Sequence, residues 1–451
     1  MNILQAETPF GKSLLWELQE MAYKEFGPNA WAEKGVPFFA TSNPYIAREF
    51  SRIIEAYLQN EAPQPNEPIY IFDLGAGSGK LGYLILQNLS HIPNLCYVMT
   101  DISDKNIKFW QTHSRLAPFI SSGQLAFARF HHSGTPEFLP GNTVSHTKNP
   151  LILIASYFFD TIPQSLYQVE NGKLLEGWVS LETEGEAKPD AAILEKIVCR
   201  YSYHHCKPAN NELQDYASGF DQALFLYPDQ AISVVERFAK ISGDRLLLLA
   251  ADQGVATREQ VLLTKEPKMA RHATFSFPVN YHALAHYFAA RQGFVLPNIC
   301  PDPDFITFYG VMGEKDSEYL KKIPSAFSPA DWWRLGTGEL FSQGDVEVLL
   351  LLLRIGEYDP ATFYHALPKF LQSLATLGGE QKQELIVSVE QVWKNFYPVS
   401  PLEGDFVMDL GVLLFQMGQA RKALFYFEQA IEIRGPTTQN LKNYSLCKSK
   451  I

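Results

Sequence analysis

The sequence predicts an α/β fold: a mainly parallel sheet covered by helices on both faces, carrying a hairpin insertion and followed by an all-α segment. Three observations predict it. The run Ile69-Tyr-Ile-Phe-Asp-Leu-Gly-Ala-Gly-Ser-Gly-Lys80 reads as an apolar strand opening into a glycine-rich turn, and Leu81–Leu89 then reads as a helix. Apolar strands and amphipathic helices alternate from there to Met312. From about Glu314 strand patterns cease and only helical periodicity remains.

Phe10 to Leu58 reads as helical with one break. Leu14, Leu15, Leu18, Met21 and Ala22 share a helical face. Gly35-Val-Pro37 interrupts it, and Phe38–Pro44 reads as a loop. Tyr45–Leu58 resumes as a helix, with Asn43 a candidate cap and Pro44 at the first helical position. Glu61–Pro68 is a proline-rich linker. Residues 1–68 are thus expected to form a helical segment packing on an α/β domain at 69–315, with a helical domain at 316–451.

Within the α/β domain the second strand is Leu95–Thr100, ending at Asp101, and Asp104–His113 is a helix. Leu125–Phe130 is the third strand, and Leu151–Ala155 the fourth, with the continuous apolar composition of a strand buried on both faces. Leu166–Glu182 and Ile193–Tyr203 alternate around polar turns and suit a hairpin insertion at about 165–225. Gln230–Lys240 is a helix, Arg245–Ala251 a fifth core strand and Tyr281–Arg291 a helix. Phe294–Ile299 and Phe305–Met312 suit a closing strand pair. In the tail, Val348–Ile355, Phe363–Leu377, Lys382–Trp393 and Phe406–Ile433 read as helices. Two stretches of it resemble each other when Gly356 is laid on Gly418, which brings Ala361 onto Ala423 and Phe363-Tyr364 onto Phe425-Tyr426. The second copy, with Leu410-Gly411, Leu414, Gly418, Ala423, Phe427 and Ala430, resembles a tetratricopeptide repeat; an ordinary helical hairpin is the alternative.

Composition narrows the function classes. The 451 residues are 46% hydrophobic and 19% charged, which is globular, and carry a net charge of −11. That charge disfavours unspecific binding to nucleic acid or anionic membrane; small-molecule or protein partners fit better. The longest apolar runs, such as Val348–Leu353, are too short to span a bilayer. Met1–Lys12 has no signal-peptide core. The five cysteines (Cys96, Cys199, Cys206, Cys300, Cys447) form no C-x-x-C pair, so a reducing, cytoplasmic setting is expected.

Three ligands compete for the glycine turn. A P-loop needs a first glycine where Leu74 stands and a hydroxyl where Leu81 stands, so that reading fails twice. A dinucleotide turn, G-x-G-x-x-G, is met formally by Gly77, Gly79 and Gly82, with Asp101 near the distance of a ribose acid, but it leaves Asp73 and Gly75 without a role. The pattern D-x-G-x-G-x-G uses Asp73, Gly75, Gly77 and Gly79 together. A strand-to-helix turn with no ligand is the plain alternative.

The pattern resembles the first motif of class I S-adenosylmethionine-dependent methyltransferases. That resemblance implies a Rossmann-like, mainly parallel seven-stranded sheet closed by an antiparallel pair, and S-adenosyl-L-methionine as cofactor. It implies that Asp73 lies near the cofactor's amino-acid end, and that Gly75, Ala76, Gly77 and Gly79 pack along its sugar and sulfonium. Further motifs resemble the MidA-like family, relatives of the mitochondrial complex I assembly methyltransferase. Phe39-Ala-Thr-Ser42 matches its Thr/Ser segment, Ala155-Ser-Tyr-Phe-Phe-Asp-Thr-Ile-Pro163 its N-E-x-x-D-A-L-P motif, Ala251-Asp-Gln-Gly254 its D-Y-G, and Phe277-Pro-Val-Asn-Tyr281 a later stretch. Two departures stand out: Ser156-Tyr157 replaces the family's Asn-Glu, and Gln253 its tyrosine. The mitochondrial member methylates an arginine of a partner protein, a reaction that needs an acid nearby because the guanidinium must shed a proton.

Candidate residues follow. Asp101, with Ile102 beside it, is placed at the ribose hydroxyls, or else caps the helix from Asp104. Thr41 and Ser42 either close over the cofactor carboxylate or serve as turn residues before a helix. The adenine edge falls after the third strand at Arg129–His132, where no acid stands, so its contact comes from backbone or from Phe130. On the substrate side, Asp160 past the fourth strand and Asp252 are the remaining acids, and Tyr157 lines the pocket or simply packs. Asp160, Tyr157 and Asp252 are the catalytic candidates. No spacing demands a metal; in His204-His205-Cys206, adjacent residues on a strand point to opposite faces. Three functions remain open: methyl transfer to a protein with the helical tail holding the partner, methyl transfer to a small molecule, and a catalytically silent adaptor assembling through its tail.

Overall fold

The computed structural model describes residues 2–36, 39–139, 141, 143–184, 191–297, 304–313, 317–336 and 344–451. Cys300, Pro37-Phe38 and the end of the expected strand Phe294–Ile299 lie outside them. The chain divides into two compact units, Met1–Ser42 with Ile46–Ala330, and Asn43–Tyr45 with Asp331–Ile451. Among the described residues no helix is long and apolar enough to cross a membrane.

The strands of the first unit are β1 (Asn2–Pro9), β2 (Ile69–Asp73), β3 (Leu95–Asp101), β4 (Leu125–Arg129), β5 (Glu137–Phe138), β6 (Leu151–Ser156), β7 (Ser165–Glu170) and β8 (Lys173–Thr183). There follow β9 (Val198–His205), β10 (Gln222–Tyr227), β11 (Leu246–Asp252), β12 (Gly254–Val255), β13 (Ala270–His272), β14 (Thr274–Ser276), β15 (Val279–Asn280), β16 (Phe294–Val295) and β17 (Ile306–Met312). Its main helices are α1 (Leu14–Phe26), α2 (Asn29–Ala32), α3 (Pro44–Glu61), α4 (Lys80–Leu89), α5 (Asp104–Thr112), α6 (Ala117–Ser121), α7 (Asn211–Ser218), α8 (Asp229–Ile241), α9 (Arg258–Leu262) and α10 (Tyr281–Ala290).

The main sheet runs β16-β17-β11-β6-β2-β3-β4-β5. β11, β6, β2, β3 and β4 are parallel; β17, β16 and β5 are antiparallel to their neighbours. Every residue of β11 and the first five of β6 are buried, which is why these segments read as unbroken apolar runs. Sequence order reverses between β2 and β6. A crevice therefore opens beyond their carboxyl ends, where such sheets take ligands. The sheet has eight strands rather than seven, because Glu137–Phe138 adds to Ala128–Arg129 as a two-residue edge.

The insertion is larger than the expected hairpin. β7, β8, β9 and β10 form a separate antiparallel sheet, and β1 joins it. β8 is its axis: β7 pairs with Lys173–Gly177, β1 with Trp178–Thr183, and β9 runs along the opposite edge. The segment 1–68, expected to be helical with one break, thus begins with a strand at Asn2–Pro9. After it, Ser13 caps α1 by accepting from Leu15 N at 3.3 Å, and donates to Gln5 Oε1 at 2.9 Å. Phe10, Leu15, Trp16 and Leu18 pack with Leu166, Val179, Leu181 and Phe277 in a core that joins the first helix to the insertion.

The second unit is helical: Val346–Ile355, Pro360–Ser373, Gly379–Asn395, Gly404–Gln416, Ala420–Arg434 and Thr438–Lys448 surround their own core. Gly411 allows its helix to meet the next, since a Cβ there would lie 2.5 Å from the Phe427 ring. The sequence alignment on Gly356 and Gly418 does not carry over to packing. Phe363 and Tyr426 are buried, while their aligned counterparts Phe425 and Tyr364 are exposed. The burial pattern instead puts Phe363 with Ala423, Ala366 with Tyr426, Leu367 with Phe427 and Phe370 with Ala430. The turns differ too: Gly418 takes φ 76°, whereas Gly356 sits at φ −81° and Glu357 and Tyr358 take the positive angles. Gly356 answers a different need, a close approach to the Trp332 ring.

Candidate functional site

The glycine turn is held by backbone bonds that leave its amides at the crevice. Leu74 N donates to Ile154 O and Ala76 N to Thr100 O, each at 2.8 Å, so the turn is tied to both neighbouring strands. Gly75, Gly77 and Gly79 take φ of 64°, 57° and 80°, conformations costly for any residue with a Cβ. Trp110 Nε1 donates to Gly77 O at 3.0 Å from below.

A cleft opens over this turn. Its lining includes Thr41, Ser42, Asp73, Gly75, Ala76, Gly77, Asp101, Ile102, Phe130 and Tyr157, all expected from the sequence. Gly79, Asp160 and Asp252 do not line it. Gly79 instead precedes the first turn of α4. Both strand-end acids are buried. Asp73 accepts from the Tyr97 hydroxyl at 2.9 Å, and burial pushes its carboxyl up to about 7. Asp101 accepts from Ser103 N at 2.8 Å, Asn106 Nδ2 at 2.9 Å and Gly77 N at 3.3 Å. Burial still raises it, to about 6. The N-cap position of α5 belongs to Ser103 rather than Asp101.

Asp160 and Asp252 make a second acidic pair at the ends of β6 and β11. Both are buried, and the hydroxyls of Tyr281 and Ser276 donate to Asp252 and Asp160 respectively. The Oδ1 atom of each finds no donor, and the two carboxyls are neighbours. One proton shared between them satisfies both; desolvation favours this and lifts both groups above the usual carboxylate range. Tyr157, between this pair and the cleft wall, takes φ 50°, an unusual conformation for an aromatic residue and a form of strain found at functional sites.

The far wall comes from the N-terminal helices and was not legible in the sequence. Trp16, Gln19, Glu20 and Tyr23 of α1 and Trp31 of α2 line the cleft. Their helical spacing places Trp16, Glu20 and Tyr23 on one face, but a polar edge of that kind ordinarily faces solvent. Glu20 Oε2 meets His131 Nε2 at 3.0 Å, and His131 Nδ1 meets Ser133 Oγ at 2.6 Å. His131 and His132 follow β4; burial first, and then the His131 charge, depress His132 to about 4. Trp31 and Phe158 lie directly on the turn: a Cβ at Gly77 would sit 2.7 Å from Trp31, and one at Gly75 2.9 Å from Phe158.

The chemistry of the lining fits a phosphate-free adenosyl group. Among the described residues no lysine or arginine lines the cleft, whereas Glu20, Asp73 and Asp101 do. Asp73 and Asp101 would repel a pyrophosphate there, while Glu20 is already paired with Lys24 and His131. The buried Ser156 hydroxyl, also in the lining, has no protein partner and is available to a ligand.

Residues 46–269 match the profile of a family described as "Putative S-adenosyl-L-methionine-dependent methyltransferase". Among solved structures, an uncharacterised superfamily protein from Burkholderia thailandensis is 14% identical, with 64% of this chain and 72% of that chain covered and a TM-score of 0.44. A Burkholderia thailandensis structure bound to S-adenosyl-homocysteine is 15% identical, with 64% and 73% covered and a TM-score of 0.44. Magnesium protoporphyrin IX methyltransferase from Synechocystis, with the same ligand bound, is 10% identical over 64% and 96%, at a TM-score of 0.31. A search of curated proteins found no match. Over residues 46–269 the chain belongs to this family of S-adenosylmethionine-dependent methyltransferases.

Proposed function

We propose that the protein transfers a methyl group from S-adenosylmethionine to a nitrogen of a protein substrate, arginine being the side chain that suits the cleft. The observation that carries this reading is the lining itself: strand-end acids over a glycine turn, aromatic walls, and no lysine or arginine among the described residues. Such a surface repels carboxylate and phosphate substrates and favours neutral or cationic ones. Asp101 takes the ribose hydroxyls, Asp73 the amino-acid end, Thr41 and Ser42 the carboxylate, and Phe130 the adenine. When bound, the cofactor supplies an electrophilic methyl on a sulfonium and, held by these residues, would give that methyl to the substrate nitrogen and leave as the neutral thioether. The cleft aligns the nucleophile behind the methyl and excludes water. The proton the nitrogen sheds passes to Glu20, a cleft-lining carboxylate held by His131 and Lys24 that takes the place of the missing family acid. Tyr157 shapes the wall. Asp160 and Asp252 act through it as positioning residues. The helical unit holds the partner protein.

A second reading, the silent adaptor, draws support from the Trp31 and Phe158 rings lying on the turn. Calorimetric titration with S-adenosylmethionine and S-adenosylhomocysteine, with NAD as control, separates the two. Binding of the adenosyl compounds but not NAD supports the first reading; no binding leaves the adaptor. Transfer of tritiated methyl to peptides rather than to small amines then supports the protein substrate, and the reverse partition selects a small molecule.

A further inference from the structure

Trp31 sits on a four-residue helix between two glycines with left-handed angles, Gly27 at φ 55° and Gly35 at φ 75°. The backbone bonds of this segment close on themselves. Ala30, Trp31, Ala32, Glu33 and Lys34 donate to carbonyls of Gly27, Pro28 and Asn29, and Val36 donates to Ala30 O, all within 3.0–3.2 Å. Among the described residues no backbone hydrogen bond joins residues 28–36 to any other element. The segment is therefore a small self-braced body on two flexible joints. Its side chains make the contacts: Val36 lines the cleft, Ala30 is buried, and Trp31 lies against Gly77 and stacks on Tyr23 at 6.4 Å with 25° between planes.

Resting on the cofactor reading above, we propose that Trp31 is a cofactor-site residue carried on a flap, Gly27–Gly35, that covers the glycine turn. The flap swings out to admit the adenosyl group and returns to shield it. Gly35 has open space around it and a left-handed angle that lets the chain reverse, whereas Gly27 caps α1 and packs closely on the Lys105 side chain, so the outer joint is the freer of the two. The ring explains why Gly77 cannot carry a side chain: the approach there is made from the flap side as well as from the turn.

The test uses the full chain and S-adenosylhomocysteine as probe. Titration should change tryptophan emission in the unaltered protein; because Trp16 also lines the cleft, Trp31→Phe should shrink that change by more than Trp16→Phe does, while calorimetry still records binding. Stopped-flow dissociation should be faster in Trp31→Ala by about tenfold and nearly unchanged in Trp31→Phe, as expected when one aromatic contact is lost. Hydrogen exchange of residues 27–36 in the unaltered protein should slow when the probe binds, an outcome independent of whether either variant folds. Equal emission changes in the unaltered protein and Trp31→Phe, or exchange in the segment indifferent to bound probe, would overturn the flap while leaving the cofactor reading standing. Absence of calorimetric binding in the unaltered protein would overturn both.

Discussion

Two pairs of aspartates stand at the carboxyl edge of the same sheet and differ in what satisfies them. Asp73 and Asp101, ending β2 and β3, face the cleft and draw on donors from the protein: the Tyr97 hydroxyl for one, and Ser103 N, Gly77 N and Asn106 for the other. Asp160, just past β6, and Asp252, ending β11, lie outside the cleft lining; each takes one hydroxyl, from Ser276 and Tyr281, and turns its other oxygen to its neighbour. Three of the four end a strand and Asp160 follows one by a few positions, so they read alike in sequence. What separates the two pairs is whether the cleft lies in front of them, and that is set by tertiary contacts.

The comparison can be broken most directly at Asp101. Asp101→Ala should weaken S-adenosylhomocysteine binding by roughly 30- to 100-fold, the value of one or two charge-assisted hydrogen bonds, with the chain still folded by circular dichroism. Unchanged affinity in calorimetry would move Asp101 into the structural class. A smaller effect is expected at Asp73. With its carboxyl at about 7, it ionises as pH rises through neutrality, so affinity for a ligand bearing an ammonium group should increase between pH 5.5 and 8. The rise should be up to about tenfold, and Asp73→Asn should flatten it. A pH profile identical in variant and unaltered protein would remove Asp73 from the ligand.

The structural pair predicts the opposite linkage. Both carboxyls titrate above their unfolded value, so the folded state binds more protons than the unfolded one. Their contribution to stability is full below the unfolded value near 4 and is lost as pH rises through the folded values. Asp252→Asn imitates the shared proton. It should raise stability at pH 8 by on the order of 1 kcal/mol, roughly 2–4 °C in melting temperature, and should leave probe affinity within about twofold. A variant that melts lower at pH 8 and higher at pH 4 would show that the pair does not share a proton. The smallest effect is expected at Gly411 in the helical unit. Gly411→Ala should lower stability by about 1 kcal/mol through the clash with Phe427, without touching probe binding. An altered probe affinity there would show that the acidic cleft is not the only determinant of binding.

What was legible in the sequence is what is local. The strand–turn–helix at Ile69–Leu89 carries its own glycines, and the core strands β6 and β11 carry their burial in composition. The ten expected residues that line the cleft were found because they lie within a few positions of a strand end or turn. The rest depended on contacts far along the chain. β1 has a mixed exposure pattern and pairs with residues about 170 positions away, so its eight residues carry no amphipathic signal of their own. Trp16, Glu20, Tyr23 and Trp31 read as an ordinary helix edge until the fold turns them toward β2. Tail similarity around Gly356 and Gly418 misled because chemical likeness of Phe-Tyr pairs concealed a shift in which ring faces inward.

The pairing of Asn2–Pro9 with Trp178–Thr183 has a practical corollary. The strand fastens the beginning of α1 to the inserted sheet, helped by the bond from Ser13 to Gln5. Trimming it, or crowding it with a bulky purification tag, would slacken the anchorage of the very helix that carries Glu20 and Tyr23.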